Sequence, residues 1–246
     1  MDTGRGKIRA SWLVVAVALA VGLGGPVRAA APTSAESLTR LKSGNGRFVS
    51  NPQDALPIDA AKRAELTKGQ TPFATILSCA DSRVPPEVVF HTGLGDLFVV
   101  RAAGNITDRA ILASVEYGSE HLNIPLIVVM GHESCGAVKA AVETPVGKSL
   151  GPNLDYLLKA IRPSVAAAAS KPESERMRAA ILENVEQTLN DLISGSAILR
   201  ELGEAGKVGF VGAYYELSSG KVYFSEPVAL SSPASSKPRA TGDHHN

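Results

Sequence analysis

Five short apolar runs, separated by amphipathic segments, constrain the fold of this chain more than any other feature of its sequence. The runs are Phe73–Ser78, Leu97–Arg101, Leu126–Met130, Val208–Tyr214 and Val222–Phe224. The first four show little alternation of apolar and polar residues, which is typical of strands covered on both faces. Between them, Thr107–Leu122 and Glu173–Ile193 repeat apolar residues at helical spacing. This alternation predicts an α/β fold with a mostly parallel β-sheet flanked by helices.

Glycine positions predict two further local features. Ser219-Gly220, between the last two runs, predicts a tight hairpin turn. The segment Glu36–Ser50 has the pattern of a helix, and we expect it to break near Gly44–Gly46 because glycine weakens the interior of a helix.

The two ends of the chain differ in composition from the rest. Residues 1–29 have a basic start, then the apolar run Trp12–Leu23, then small residues, a pattern typical of a secretory signal peptide. The run is shorter than the roughly 20 residues that span a bilayer, although an uncleaved membrane anchor stays an alternative. Residues 231–246 are rich in Ser and Pro and predict a disordered tail. We therefore expect an exported protein, periplasmic or secreted, with one domain over residues 30–230.

The overall composition argues against several functional classes. The chain has 25 Lys and Arg residues against 24 Asp and Glu residues, and 44% of its residues are apolar. A wholly disordered chain and a nucleic-acid binder driven by excess positive charge are both disfavoured on these grounds. Two cysteines in 246 residues are too few for a disulfide-stapled scaffold.

Reactive side chains follow two of the predicted strands directly. The first run leads into Cys79, Asp81 and Arg83, and the third run leads into His132 and Cys135. Parallel strands end at the same edge of a sheet, where open α/β sheets bind their ligands. Two thiolates and one imidazole suit zinc, and three protein ligands leave a fourth position open for water. The sequence therefore predicts a metal site at this edge.

Other interpretations of these residues stay open at this point. Cysteine often fills a buried core, and in an exported protein Cys79 and Cys135 could form a disulfide. A structural zinc site would normally need a fourth protein ligand, which Asp81 could supply. The nearby His132 and the Asp81/Arg83 pair favour metal binding, because neither a core cysteine nor a disulfide requires them.

Three segments, taken in order, resemble the sequence motifs of the β-class carbonic anhydrases. They are Cys79-Ala80-Asp81-Ser82-Arg83, Gly95-Asp96-Leu97-Phe98-Val99-Val100-Arg101-Ala102-Ala103-Gly104-Asn105 and Gly131-His132-Glu133-Ser134-Cys135-Gly136. The resemblance covers roughly residues 36–228. It implies zinc-dependent, reversible hydration of CO₂ to bicarbonate and a proton through a zinc-bound hydroxide. It also implies one zinc ion per subunit and a homodimer at least, or a tetramer. We expect no nucleic-acid partner, and no membrane contact after signal cleavage.

The resemblance assigns roles to the residues of the first and third motifs. Cys79, His132 and Cys135 match the family's zinc ligands. Asp81 matches the carboxylate that orients the hydroxide, and Arg83 matches the guanidinium that holds this carboxylate off the metal.

The same resemblance implies a substrate pocket at a subunit interface, formed by Gln70, Phe98 and Tyr117. Plain core packing is the alternative for Phe98 and Tyr117. His121 matches a candidate proton shuttle, and a surface histidine without a role is the alternative. These residues favour the plant-like, open-site group of the family. No Trp-containing inhibitory bicarbonate site is expected, because the only Trp of the chain lies in the predicted signal peptide.

Two other functions remain compatible with the sequence. The same scaffold could hydrolyse carbonyl sulfide or carbon disulfide, because both are linear molecules like CO₂ and the zinc chemistry would be shared. A non-catalytic zinc-binding module is the alternative from a different class, and the presence of Asp81 and Arg83 argues against it.

Overall fold

Five strands form one sheet in the computed structural model, which describes residues 31–56 and 58–230. In chain order the strands are β1 (Ala74–Ser78), β2 (Leu97–Arg101), β3 (Leu126–His132), β4 (Gly209–Tyr215) and β5 (Val222–Phe224). Their order across the sheet is β2-β1-β3-β4-β5, and every pair is parallel except β4 with β5. The predicted α/β fold with a mostly parallel sheet is confirmed. The predicted signal peptide and C-terminal tail lie outside the described residues and stay predictions.

Eight α-helices connect and cover these strands in the described part of the chain. They are α1 (Ser34–Ser50), α2 (Ala60–Leu66), α3 (Pro86–Val89), α4 (Arg109–His121), α5 (Gly136–Glu143), α6 (Pro152–Ala167), α7 (Glu173–Gly195) and α8 (Ala197–Glu204). Short 3₁₀ turns cover Ala103–Asn105 and Ala168–Ser170. Helices α4 and α7 correspond to the two helices predicted from apolar spacing, whereas α2, α3, α5, α6 and α8 have no counterpart among the predictions. None of the helices within the described ranges is both long and apolar enough to cross a membrane.

Helix α1 is continuous, so the predicted break near Gly44–Gly46 is wrong. The helix begins after a capping box formed by Thr33 and Glu36, and it runs unbroken to Ser50. Gly44 packs against the backbone after α3, where a Cβ atom would overlap the carbonyl oxygen of Phe90. Glycine at this position therefore allows two backbones to approach closely, and this packing outweighs its low helix propensity.

The hairpin predicted at Ser219-Gly220 forms between β4 and β5. Its connection spans residues 216–221, which is longer than a two-residue turn. Gly220 adopts a φ of 74° and donates its N–H to the carbonyl oxygen of Glu216 at 2.9 Å. A positive φ is the conformation that glycine adopts at little cost.

Alternate residues of the central strand β3 point into two separate cores. Val128 and Met130 pack with residues of α1 and α3 on one face of the sheet. Ile127 and Val129 pack with residues of α4 and α7 on the other face. Strands β1 and β3 are buried along their whole length, whereas β2 at the sheet edge is mostly half-buried. The carboxyl ends of β1 and β3 are consequently held between two layers of helices.

Candidate metal centre and substrate pocket

Two strand ends and one helix start bring three buried ligand groups together. Cys79 follows β1, His132 is the last residue of β3, and Cys135 directly precedes α5. Because β1 and β3 are paired in parallel, their carboxyl ends are adjacent. The ligand atoms of the three side chains lie within 4.8 Å of one another, and all three residues are buried. We call this set the ligand cluster.

The two cysteines of the ligand cluster are not joined by a disulfide. Their Sγ atoms are 4.0 Å apart and both thiols are free, whereas a disulfide would require about 2.05 Å. The contact between the sulfurs lowers the pKa of Cys79 and raises the pKa of Cys135. The pair therefore gives up its first proton easily and holds its second one tightly. A nearby cation would release that second proton, because metal ligands bind as thiolates.

The imidazole of His132 is oriented for metal binding. Its Nδ1 lies 2.9 Å from the carbonyl oxygen of Glu133, which fixes the proton on Nδ1 and leaves a lone pair on Nε2. Nε2 is buried and has no hydrogen-bond partner among the described residues. A buried polar atom without a partner is costly, and a metal ion would satisfy it. With two thiols beside it, this donor set fits zinc.

Asp81 lies beside the ligand cluster and is held by Arg83. The Arg83 guanidinium donates from Nε to Asp81 Oδ1 at 2.9 Å and from Nη2 to Asp81 Oδ2 at 2.8 Å. The Arg83 backbone N–H also donates to Oδ1 at 2.9 Å. These hydrogen bonds hold the pKa of Asp81 well below its usual range, so the carboxylate is ionised. Asp81 Oδ2 lies 3.9 Å from His132 Nε2, within reach of a group bound at the cluster.

Arg101 holds the backbone beside the ligand cluster, a role that we did not predict from the sequence. It ends β2, and its side chain donates to the carbonyl oxygens of Cys79 at 2.9 Å and Asp81 at 2.6 Å. One guanidinium thus fixes the backbone of both a candidate ligand and the candidate orienting carboxylate. In the sequence, this role is indicated only by the position of Arg101 as the one charged residue of an otherwise apolar strand.

Phe98, Tyr117 and His121 form an aromatic row that joins α4 to β2, the terminal strand at one side of the described sheet. Phe98 belongs to β2, and the other two lie one turn apart on α4. The ring centroids of Phe98 and Tyr117 are 6.3 Å apart, and those of Tyr117 and His121 are 5.1 Å apart. Tyr117 is 49% exposed, and the His121 side chain is also exposed. Within the described segments, this row makes no hydrogen bond or ring contact to the ligand cluster.

Gln70 lies apart from both groups. It is exposed in the loop before β1 and lines a surface cavity of about 510 Å³ together with Leu66 of α2 and Leu94. The described residues give it no hydrogen bond to the ligand cluster. The structure therefore brings together the candidate ligands, Asp81 and Arg83. It leaves Gln70, Tyr117 and His121 exposed on the single chain, whereas Phe98 is half-buried and packs against the core that contains Val115 and Val185.

Comparison with known sequences identifies one family over most of the described chain. The sequence profile described as Carbonic anhydrase matches residues 74–222, which include the ligand cluster and the aromatic row. A curated relative from Mycobacterium tuberculosis, named Carbonic anhydrase 2, is 39% identical over 189 residues. The alignment covers 76% of this chain and 91% of that relative.

Solved structures of other proteins are similar to this chain in fold as well as in sequence. A tetrameric β-carbonic anhydrase of the fungus Sordaria macrospora superposes with a TM-score of 0.62 at 25% identity, covering 79% of this chain and 97% of the other. The β-carbonic anhydrase of Coccomyxa, solved with acetazolamide, gives a TM-score of 0.63 at 25% identity. That alignment covers 70% of this chain and 80% of the other.

Proposed function

The chain belongs to the β-carbonic anhydrase family, and we propose that it catalyses the reversible hydration of CO₂ to bicarbonate and a proton with one zinc ion per subunit. The observation that carries this proposal is the buried cluster of Cys79, His132 and Cys135 beside an ionised Asp81. Each of these groups lies at the carboxyl edge of the sheet, where α/β folds bind ligands.

The ligand cluster would hold zinc through the two Sγ atoms and Nε2 of His132. When bound, zinc with three protein ligands keeps a fourth position for water and lowers the pKa of that water, which supplies a nucleophile near neutral pH. The bond from His132 Nδ1 to the Glu133 carbonyl fixes the imidazole ring, so that Nε2 points into the cluster.

Asp81 orients the nucleophile in this proposal. An ionised carboxylate only accepts hydrogen bonds, so it would accept one from the nucleophile and thereby direct the oxygen lone pair toward CO₂. Arg83 occupies both carboxylate oxygens and thereby keeps Asp81 from becoming a fourth metal ligand. Arg101 holds the backbone of Asp81 in place.

A second subunit would complete the substrate pocket with Gln70, Phe98 and Tyr117. Three observations support at least a homodimer: the position of β2 at the edge of the described sheet, the exposure of Tyr117 and the tetrameric Sordaria relatives. Phe98 and Tyr117 would provide an apolar wall suited to a nonpolar gas, and Gln70 would donate a hydrogen bond to an oxygen of CO₂ or bicarbonate. The exposed His121 would pass the released proton to buffer.

Export to the periplasm or the medium is part of the proposal, supported by the signal-peptide pattern of residues 1–29. Expression of the full chain in a Gram-negative host, followed by N-terminal sequencing of the exported product, would test it. We expect a new N-terminus within one or two residues of Ala30. An intact N-terminus on protein confined to the cytoplasm would contradict export.

The activity is tested by stopped-flow CO₂ hydration with the purified protein and its metal content measured on the same sample. We expect about one zinc per chain, loss of hydration after chelation, and recovery when zinc is restored. Carbonyl sulfide is offered in parallel as an alternative substrate. Zinc-loaded protein that hydrolyses carbonyl sulfide but leaves CO₂ unhydrated would overturn the proposal, as would full hydration without metal.

A further inference from the structure

Helix α7 carries two buried polar side chains that bind a single turn. Asn184 is 1% exposed and Thr188 is 2% exposed, and they lie one helical turn apart. Asn184 Nδ2 donates to the carbonyl oxygen of Gly104 at 2.7 Å, and Thr188 Oγ1 donates to the carbonyl oxygen of Asn105 at 3.2 Å. Both acceptors belong to the 3₁₀ turn Ala103–Asn105.

The same turn makes a direct contact with the ligand cluster. The backbone N–H of Gly104 donates to Cys79 Sγ at 3.3 Å. Gly104 adopts a φ of 68°, and a Cβ atom there would lie 2.7 Å from Ile161 Cδ1. Glycine therefore permits both the left-handed backbone and the close packing against α6. One residue thus binds the sulfur through its N–H and helix α7 through its carbonyl oxygen.

We infer that Asn184 is a positioning residue for the metal centre, with Thr188 in a supporting role. By holding the carbonyl oxygen of Gly104, Asn184 keeps the N–H of the same residue directed at Cys79 Sγ. This inference rests on the proposed function, because it concerns the sulfur that would bind zinc. An N–H bond to a thiolate stabilises its negative charge and fixes its direction. Mutation of a group that bonds directly to a metal ligand typically lowers metal affinity by about 10- to 100-fold. Asn184 acts one bond further out, through Gly104, so we expect an effect at the lower end of that range.

A purely structural role for Asn184 makes a different prediction. If Asn184 only satisfied a buried carbonyl group, its loss would lower stability and leave the bound metal unchanged. Gln187 provides the matched control, because it lies on the same helix and donates to the carbonyl oxygen of Ala160 at 2.9 Å. Gln187 also accepts a hydrogen bond from Ser164 and makes none to the turn.

The test compares Asn184→Leu and Gln187→Leu in the full-length holoenzyme. Zinc affinity is measured by competition with a chromophoric chelator, and the thiolate-to-metal charge-transfer band is recorded after cobalt(II) replacement. We expect Asn184→Leu to weaken zinc binding by about 10-fold and to shift that band. Gln187→Leu should leave both readouts at the wild-type values, even if it lowers the melting temperature.

A second pair of variants keeps the inference testable if Asn184→Leu does not fold. Thr188→Val removes the hydroxyl at nearly constant volume, and Thr188→Ser keeps it. We expect a smaller loss of zinc affinity in Thr188→Val and wild-type affinity in Thr188→Ser. Unchanged zinc affinity and cobalt spectra in Asn184→Leu, or in Thr188→Val if Asn184→Leu does not fold, would overturn this inference and leave the proposed function intact. A wild-type protein that does not bind zinc would overturn the proposed function, and this inference with it.

Discussion

The ligand cluster is enclosed by a single chain, whereas the aromatic row is partly exposed on it. The cluster is buried, and among the described residues Gly104 and Glu133 of the same chain hydrogen-bond to it. The aromatic row joins the edge strand β2 to α4, with Tyr117 half exposed and without a hydrogen bond or ring contact to the cluster among the described residues. Under the proposed function, the metal centre is therefore a property of one subunit, while the substrate pocket needs a second one.

This contrast follows from what each region must do. A metal centre needs ligands fixed in direction, and buried side chains between packed helices and strands supply them. A pocket for a nonpolar gas needs an apolar wall, which an interface can provide once water is excluded. Variants of the two regions should consequently fail in different ways.

The largest effect is expected from removing a metal ligand. Cys135→Ser replaces a thiolate with a neutral hydroxyl that binds zinc poorly, so zinc should be lost and CO₂ hydration should fall by at least about 10³-fold. Metal analysis and stopped-flow assays of the purified variant measure both. Retained zinc with wild-type hydration would remove Cys135 from the ligand set.

Asp81→Ala should separate metal binding from activity. The variant keeps all three ligands, so we expect zinc content to stay at wild type while CO₂ hydration falls about 10²-fold or more. Asp155→Ala is the control, because Asp155 is also a hydrogen-bonded carboxylate but lies at the start of α6. Equal activities of the two variants would rule out the orienting role of Asp81.

Tyr117→Ala addresses the aromatic row and should act through assembly. Because Tyr117 is already 49% exposed, we expect little change in the stability of the subunit. The dissociation constant of the dimer should rise by about 10-fold. Sedimentation equilibrium measures this change, and hydration should fall at the protein concentrations where the dimer separates. Tyr156→Ala is the matched control, since Tyr156 is 55% exposed on α6. If both variants assemble like the wild type, the row is not the interface.

The smallest effect is expected for His121→Ala. Buffer can accept the proton in place of an exposed imidazole, so hydration should fall by less than about 10-fold, and only in dilute buffer. Added imidazole should restore the rate. A deficit that persists at high buffer concentration would point to a structural role for His121.

Local periodicity and spacing made most of the sheet predictable. Four parallel strands and one hairpin follow from apolar runs and turn residues, because a strand covered on both faces has a recognisable composition. The reactive residues were found for a similar reason: Cys79 and His132 directly adjoin two such runs. Helix α6 was missed, since its pattern contains Pro163, an unfavourable residue in a helix interior.

The sequence by itself determined the parallel α/β sheet and the residues that could bind a metal at its edge. Only the tertiary structure decided that Gly44 continues a helix instead of ending it, that Arg101 binds the backbone of Cys79 and Asp81, and that Asn184 binds the backbone of Gly104. These outcomes depend on contacts between segments far apart in the chain: Asn184 lies 80 residues from its acceptor Gly104. Local patterns record which face of an element is apolar, but the partner of a buried polar group is set only when the elements pack together.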